Sequence, residues 1–463
     1  MKKMVALLLA VLMLGTLVTA QAESMSWWDQ FLNLEETHKN VIWDPFTAET
    51  GIGVEYQNYD AASFKEAFDL AMGTDQGPAV MSYAWGANEA VAKYNNGYFA
   101  PLTIAKEDLP EYVQNTLADG YTMFDGEVYS FPTFAINHQA LFWYNKNMVS
   151  EVPETLDEMR ELLKQLTDAE KNVYGIALPL TDTGRMHNII NYVTELSGGV
   201  FDMDYTTGQY VFNDELTKAV FKFFVDIWED GSVHPASTTL KTRTVRERWA
   251  NDEAAFAIDG CWYPGSIKNA FGAEYLSKLG VAAAPVVEAG KHGLVGASPA
   301  TGTFYMSSFC KDTKAGTQLI LKLLSDEYAI ALAEAMDQPP LNTAALANAT
   351  NVAEVYVEGC NIMASQMGYR PEPQIRNAAV GDVYTEMLTV SPNVGDIYVG
   401  YITGAISDWE TALDEYNAAM NAELDRAIEA CRSMGSDVSR EDWVFANYVR
   451  GENYTSEKYA ELK

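Results

Sequence analysis

Basic residues are scarce: 31 Lys and Arg stand against 64 Asp and Glu in 463 residues, a formal charge of −33. So acidic a chain repels nucleic acid and anionic lipid, and neither is an expected partner. The excess acid is spread over segments such as 151–168 and 408–429 rather than gathered in one block, which describes a solvated surface. Cysteine is sparse too. Cys261, Cys310, Cys360 and Cys431 lie far apart, with no C-x-x-C and no histidine at ligand spacing, so zinc finds no support and the disulfide pairing stays open. The phosphate-cradling G-x-x-x-x-G-K-[ST] and the dinucleotide G-x-G-x-x-G are missing, and no cofactor is expected. No G-x-S-x-G elbow is present, and the five histidines (His38, His138, His187, His234, His292) are not clustered in sequence. Past the N-terminus no stretch approaches the roughly 20 continuous apolar residues of a membrane helix, so membrane insertion is not expected. Internal repeats, low-complexity tracts and Pro/Gly/Ser linkers are absent as well, which favours lobes joined by several crossings over beads on a string.

What is present begins with an export signal. Lys2 and Lys3 precede the apolar stretch 4–14, and Ala20-Gln21-Ala22 offers small residues for cleavage, so residues 1–22 read as a signal peptide. A soluble periplasmic or extracellular protein is the expectation, and no cysteine sits at the processing point to take a lipid. Hydrophobic residues make up 48% and charged ones 21%, ample for buried cores, and the length fits two or three domains.

Along the chain, short apolar runs alternate with helical periodicity. Strands are expected at 53–56, 78–83, 140–144, 174–178, 254–258, 279–285 and 303–309, and helices at 61–71, 87–95, 156–166, 186–196, 216–228 and 315–324. Such alternation is βαβ and predicts an α/β fold with largely parallel sheets. Asp202 to Phe212, with Thr207-Gly208, reads as a hairpin rather than a calcium loop, because the late bidentate glutamate is missing.

Aromatic residues carry most of the functional signal. They form 12% of the chain, and Trp43, Tyr83, Trp85, Trp262, Tyr263 and Tyr305 fall in turns or at strand ends. Flat rings suit the C–H faces of sugars, while amides, acids and histidines bind hydroxyls. Trp262 follows Asp259-Gly260 just beyond a strand's carboxyl end, where open α/β sheets hold ligands. A core tryptophan after an ordinary strand has the same local signature. Paired carboxylates acting on glycans, a polyamine or peptide held in an acidic aromatic cleft, or a phosphate ester met by Arg185, Arg243 and Arg370, remain open alternatives.

Several stretches in order add a resemblance. They are 51–55 (GIGVE), 77–81 (GPAVM), 96–102 (NGYFAPL), 125–132 (DGEVYSFP), 141–146 (LFWYNK), 152–158 (VPETLDE), Gly198-Gly199, 249–262, 314–326, 338–341 (QPPL) and 403–407 (TGAIS). Across roughly 40–425 the order resembles the extracellular solute-binding proteins of ABC importers, in particular the maltose-binding-like sugar group. That resemblance implies a periplasmic-binding-protein-like fold of two discontinuous α/β lobes closing over an interlobe cleft. Lobe I would comprise 23–133 plus about 296–338, lobe II about 137–294 plus about 340–430, and about 431–463 would form a C-terminal extension. It implies a non-enzymatic monomer that takes a carbohydrate, an oligosaccharide in that group, to the transmembrane subunits of an ABC permease. It also implies ligand contacts at Tyr83 and Trp85 on one wall, Trp262 on the other, His138 at the first crossing, and His187 and Asn188 before a contributing helix. The chain departs from the family at Gly86, where an acid is usual, and at Tyr398, an implied ligand contact where the family carries a late tryptophan.

Overall fold

The computed structural model describes residues 23–59, 61–82, 87–298, 303–342, 344 and 348–462. The expected signal peptide, Tyr83, Trp85 and Gly86 lie outside the described residues.

The described residues open with a strand where the sequence predicts none. Ser24–Asp29 buries Met25, Trp27 and Asp29 in strict alternation. It pairs in parallel with Gly53–Asn58, from Ser24 opposite Gly53 to Asp29 opposite Asn58, and with Val80–Ser82 on its other side. Phe304–Ser307 and Phe99–Ala100 complete this five-stranded sheet. A second, four-stranded sheet runs Leu279–Ala282, Leu141–Asn145, Ala254–Asp259, Tyr174–Ala177.

Neither sheet is wholly parallel. Phe304–Ser307 is antiparallel to both neighbours, and so is Leu141–Asn145. Each follows a crossing between the two sheets, so it enters its sheet at the crossing end and runs away from it. The strands around it that follow helices run the opposite way. Largely parallel pairing is therefore corrected to a mixed order, which local βαβ spacing does not reveal.

Each sheet has its own core. Trp27, Phe46, Val80, Phe304 and Leu332 pack on the first, and Phe64, Phe68, Met81 and Tyr305 fill its other face. Trp143, Ile176, Ile190, Phe224, Phe256 and Leu424 belong to the core around the second. Cys431, Val438, Trp443, Phe445 and Tyr454 join that second core, so the stretch read as an extension is packed into it.

Helix Thr183–Leu196 crosses helix Val394–Ile402 at Gly395, where an added Cβ would press on the Thr183 carbonyl oxygen and stand 2.8 Å from the His187 nitrogen. Backbone leaves nothing to yield there. Gly395→Ala is expected to lower stability by about 1–3 kcal/mol through overpacking, read as a shift in the urea midpoint.

Candidate functional site

Between the two sheets lies a cavity of about 2140 Å³. Its floor is made by chain crossings: Phe134 bridges Pro340, with the Ala135 N–H donating to the Pro339 carbonyl at 2.8 Å and the Leu341 N–H to the Thr133 carbonyl at 3.2 Å. A third crossing touches them where the Thr303 N–H donates to the Phe131 carbonyl at 3.0 Å. Few, extended and hydrogen-bonded to one another, these crossings are where φ/ψ changes would let two packed bodies swing.

One wall follows strand Ser24–Asp29, whose end delivers Gln30, Phe31 and Asn33 to the cavity. Asp29 stays behind in the core, held by His38 Nδ1 at 2.9 Å and Trp27 Nε1 at 3.1 Å. Asn33 reaches across beside the crossings and donates to Ser266 Oγ at 3.0 Å and to Asp337 Oδ2 at 3.1 Å.

The opposite wall is built on Ala254–Asp259, buried at every position. Trp262 lines the cavity and is half-buried. Its ring lies flat against Gly260, where a Cβ would stand 2.5–2.6 Å from the ring atoms, so only glycine seats the indole there. The Arg185 guanidinium stands 5.7 Å from the indole centroid, within cation–π range. Below, Asp259 accepts from Arg185 Nη2 at 2.6 Å, from Arg246 Nε at 3.0 Å and from the Gly260 N–H at 2.8 Å. Burial alone would raise its carboxyl, but the Arg246 and Arg185 guanidiniums hold it below the usual carboxylate range. Asp259, left without a role by the sequence, is the post that fixes two cleft arginines.

Of the expected contacts, Trp262 is brought to the cavity, and several others are not. His138 is fully buried: the Ala140 N–H donates to its Nδ1 at 3.1 Å, which leaves Nε2 to donate to Gln366 Oε1 at 3.0 Å. Its neighbours Asn137 and Gln139 face the cavity instead, because an extended chain alternates sides. His187 packs between Phe201 and Phe212, with ring centroids 5.1 and 6.1 Å away. Two residues along a helix is more than half a turn, so Arg185 and, two turns on, Tyr192 take the cavity face. Asn188 is half-buried and outside the lining.

Four aromatics belong to cores, which corrects their expected place in the cleft. Trp43 is 6% exposed, 4.6 Å from Tyr56 and 5.9 Å from Trp27. Tyr305 stacks on Phe99 at 4.4 Å. Tyr263 stacks on Trp143 at 5.4 Å. Tyr398 lies between Phe221 and Phe224 and donates its hydroxyl to the Phe224 carbonyl at 3.2 Å. A ring on any element has two sides to turn to, and apolar packing took these inward, Tyr398 from within helix Val394–Ile402. Arg370 is likewise engaged, by Glu372 at 3.3 Å and Asp202 at 3.6 Å.

Burial pushes His138 and His187 down to about 4. Unfolded imidazoles take a proton near pH 6.5, so what these two contribute to stability is present above that value and is lost as pH falls toward 4. In an NMR titration of the folded protein their ring resonances are expected to stay still from pH 8 to about 5. Movement centred near 6.5 would show that water reaches them.

Two α/β bodies joined by crossings, with a polar and aromatic cleft between, define the periplasmic-binding-protein type of fold. The chain belongs to the bacterial extracellular solute-binding protein family, whose model matches residues 42–355. Among curated proteins, the maltotriose-binding protein of Pyrococcus abyssi is 26% identical over 213 residues, 44% of this chain; the match spans only 42% of that relative's length. The GacH receptor of Streptomyces glaucescens, solved unliganded and with acarbose, superposes with a TM-score of 0.68 at 18% identity, covering 87% of this chain and 99% of its own. The Thermus thermophilus maltotriose binding protein gives 0.64 at 19% identity, with 87% and 100% covered. A Thermotoga lettingae solute-binding protein bound with α-D-tagatose gives 0.68 at 17%, with 87% and 100% covered. Among the described residues, no helix is long and apolar enough to cross a membrane.

Proposed function

We propose that this protein captures a carbohydrate between its two lobes and presents it to the membrane subunits of an ABC importer, acting as a monomer outside the cytoplasm and performing no catalysis. The observation that carries this reading is the cleft lining, in which the indole of Trp262 shares one cavity with the amides of Gln30, Asn33, Asn137 and Gln139. Ring faces stack on indole, and amides both donate to and accept from hydroxyls. Relatives whose names specify maltotriose support a saccharide. The lobes hinge at the Phe134–Pro340 crossings, and ligand favours the closed form by binding it better than the open one.

Calorimetry against a panel of oligosaccharides tests the reading, with chromatography of each sugar after long incubation. A bound sugar recovered unchanged is expected. Heat with only a non-sugar solute overturns saccharide capture, and shortened products would make the protein a glycan-acting enzyme. Trp262→Ala is expected to weaken binding by about 1–3 kcal/mol, the scale of a lost stacking contact and its buried area, with the urea midpoint little changed. A variant that fails to fold would assign the indole to the core instead.

A further inference from the structure

Bases are outnumbered two to one along the chain, 31 to 64, yet one wall of the cleft gathers Arg185, Lys241, Arg243 and Arg246. Arg243 and Arg246 lie three apart on helix Thr242–Ala250 and so share a side of it. Arg246 and Arg185 meet at Asp259, one buried carboxylate against two guanidiniums. Arg185 is 8% exposed, lines the cavity, and has a buried Nε with no hydrogen-bond partner. An open N–H on a nearly buried cation beside the indole is costly to close over unless an acceptor arrives.

Lys241 and Arg243 are exposed on the same wall. Of the acids near them, Asp182 already accepts from the Arg185 N–H at 3.1 Å and from Thr242 Oγ1 at 3.0 Å. Glu247 is exposed one turn beyond Arg243. Across the cleft Glu35, Glu36 and Glu334 outnumber Lys39, and Lys268 donates to the Glu334 carbonyl at 3.5 Å. A neutral ligand uses none of this polarity; an anionic one is drawn to one wall and turned away from the other.

Resting on the carbohydrate reading, we infer that the saccharide is acidic: a uronate-containing oligosaccharide whose carboxylates are received by Arg185, Arg243 and Lys241 while a sugar ring lies beside Trp262. The guanidinium fork matches a planar carboxylate, and Arg185 is held in place for it by Asp259 and Gln139.

The test is calorimetry of the full chain with trigalacturonate, with its fully methyl-esterified form, which keeps the rings and removes the charge, with a sulfated oligosaccharide and with neutral malto-oligosaccharides. The free uronate is expected to bind at least about tenfold tighter than the ester, and to weaken as salt rises from about 20 to about 500 mM. The double variant Lys241→Gln/Arg243→Gln should lose about tenfold toward the uronate and little toward the ester. Lys171→Gln, which removes an exposed charge outside the cavity lining, should change neither. Ester or malto-oligosaccharide binding as tight as the free uronate, without salt dependence, overturns the acidic assignment and leaves saccharide capture standing. Binding of the sulfated sugar alone overturns the carboxylate assignment. Binding of no saccharide at all overturns the carbohydrate reading itself.

Discussion

Asp259→Ala is expected to lower folding stability by about 3–5 kcal/mol, the scale of removing one partner from a buried ion pair. The carboxylate is 2% exposed and receives Arg185, Arg246 and the Gly260 N–H. Alanine leaves the Arg185 side chain, 8% exposed, with the Gln139 amide oxygen as its remaining side-chain partner. It also strands a backbone donor at the turn that seats Trp262. Asp259→Asn keeps an acceptor and drops the charge, so it should fall between wild type and alanine. Urea unfolding followed by tryptophan fluorescence measures both; a loss under about 1 kcal/mol for alanine would mean that water screens the pair as it does at a surface. The sign with pH follows from the depressed carboxyl. Its contribution is complete above the unfolded aspartate value and disappears as pH falls through the folded one. The difference between wild type and Asp259→Ala should therefore shrink in acid.

Trp443→Ala is expected to cost a similar amount, about 3–5 kcal/mol, although it lies in the last 21 residues of the chain. Its indole is fully buried and donates from Nε1 to the Tyr384 hydroxyl at 3.0 Å. Around it the terminal segment is sewn to the body around the second sheet: Arg440 Nη1 donates to the Gly208 carbonyl at 2.9 Å, the Phe445 N–H to the Tyr205 carbonyl at 2.6 Å, and the Tyr454 N–H to the Tyr369 carbonyl at 2.9 Å. The hairpin that it meets, Asp202–Asp204 with Gln209–Val211, has φ +68° at Gly208, and a Cβ there would crowd Val444 and Trp443 at 3.1 and 3.3 Å. Trp443→Phe should recover part of the loss, since an aromatic ring refills most of the space. An unchanged urea midpoint for the alanine variant would make the segment a removable appendage.

Local signals were legible where burial follows a regular period. Helix 156–166 has its expected bounds, with Leu156, Met159 and Leu163 inward and the Thr155 hydroxyl accepting the Glu158 N–H as N-cap. The strand at 254 is there, one residue longer than expected. The hairpin at 202–211 formed as Thr207-Gly208 suggested. The opening strand was missed because it directly follows the expected signal peptide, although Met25 and Trp27 already alternate. At the site, the chain segments were found and the faces were not. The crossing at 138 and the helix at 187 both border the cleft, but one residue of alternation or half a helical turn exchanges a histidine for Asn137, Gln139 or Arg185.

Composition and order thus determined, without any structure, an acidic chain with material for two cores, a βαβ pattern and a tryptophan set at a strand end by Gly260. Tertiary structure decided which rings face the cleft. Trp43, Tyr263 and Tyr305 carry much the same local signature as Trp262, and only packing across the sheets distinguishes them. It also decided the charge of the cleft, because Arg185 meets Asp259 across 74 residues and Arg246 meets it across 13. Periodicity in a sequence fixes which residues share a side; where that side points depends on what folds against it.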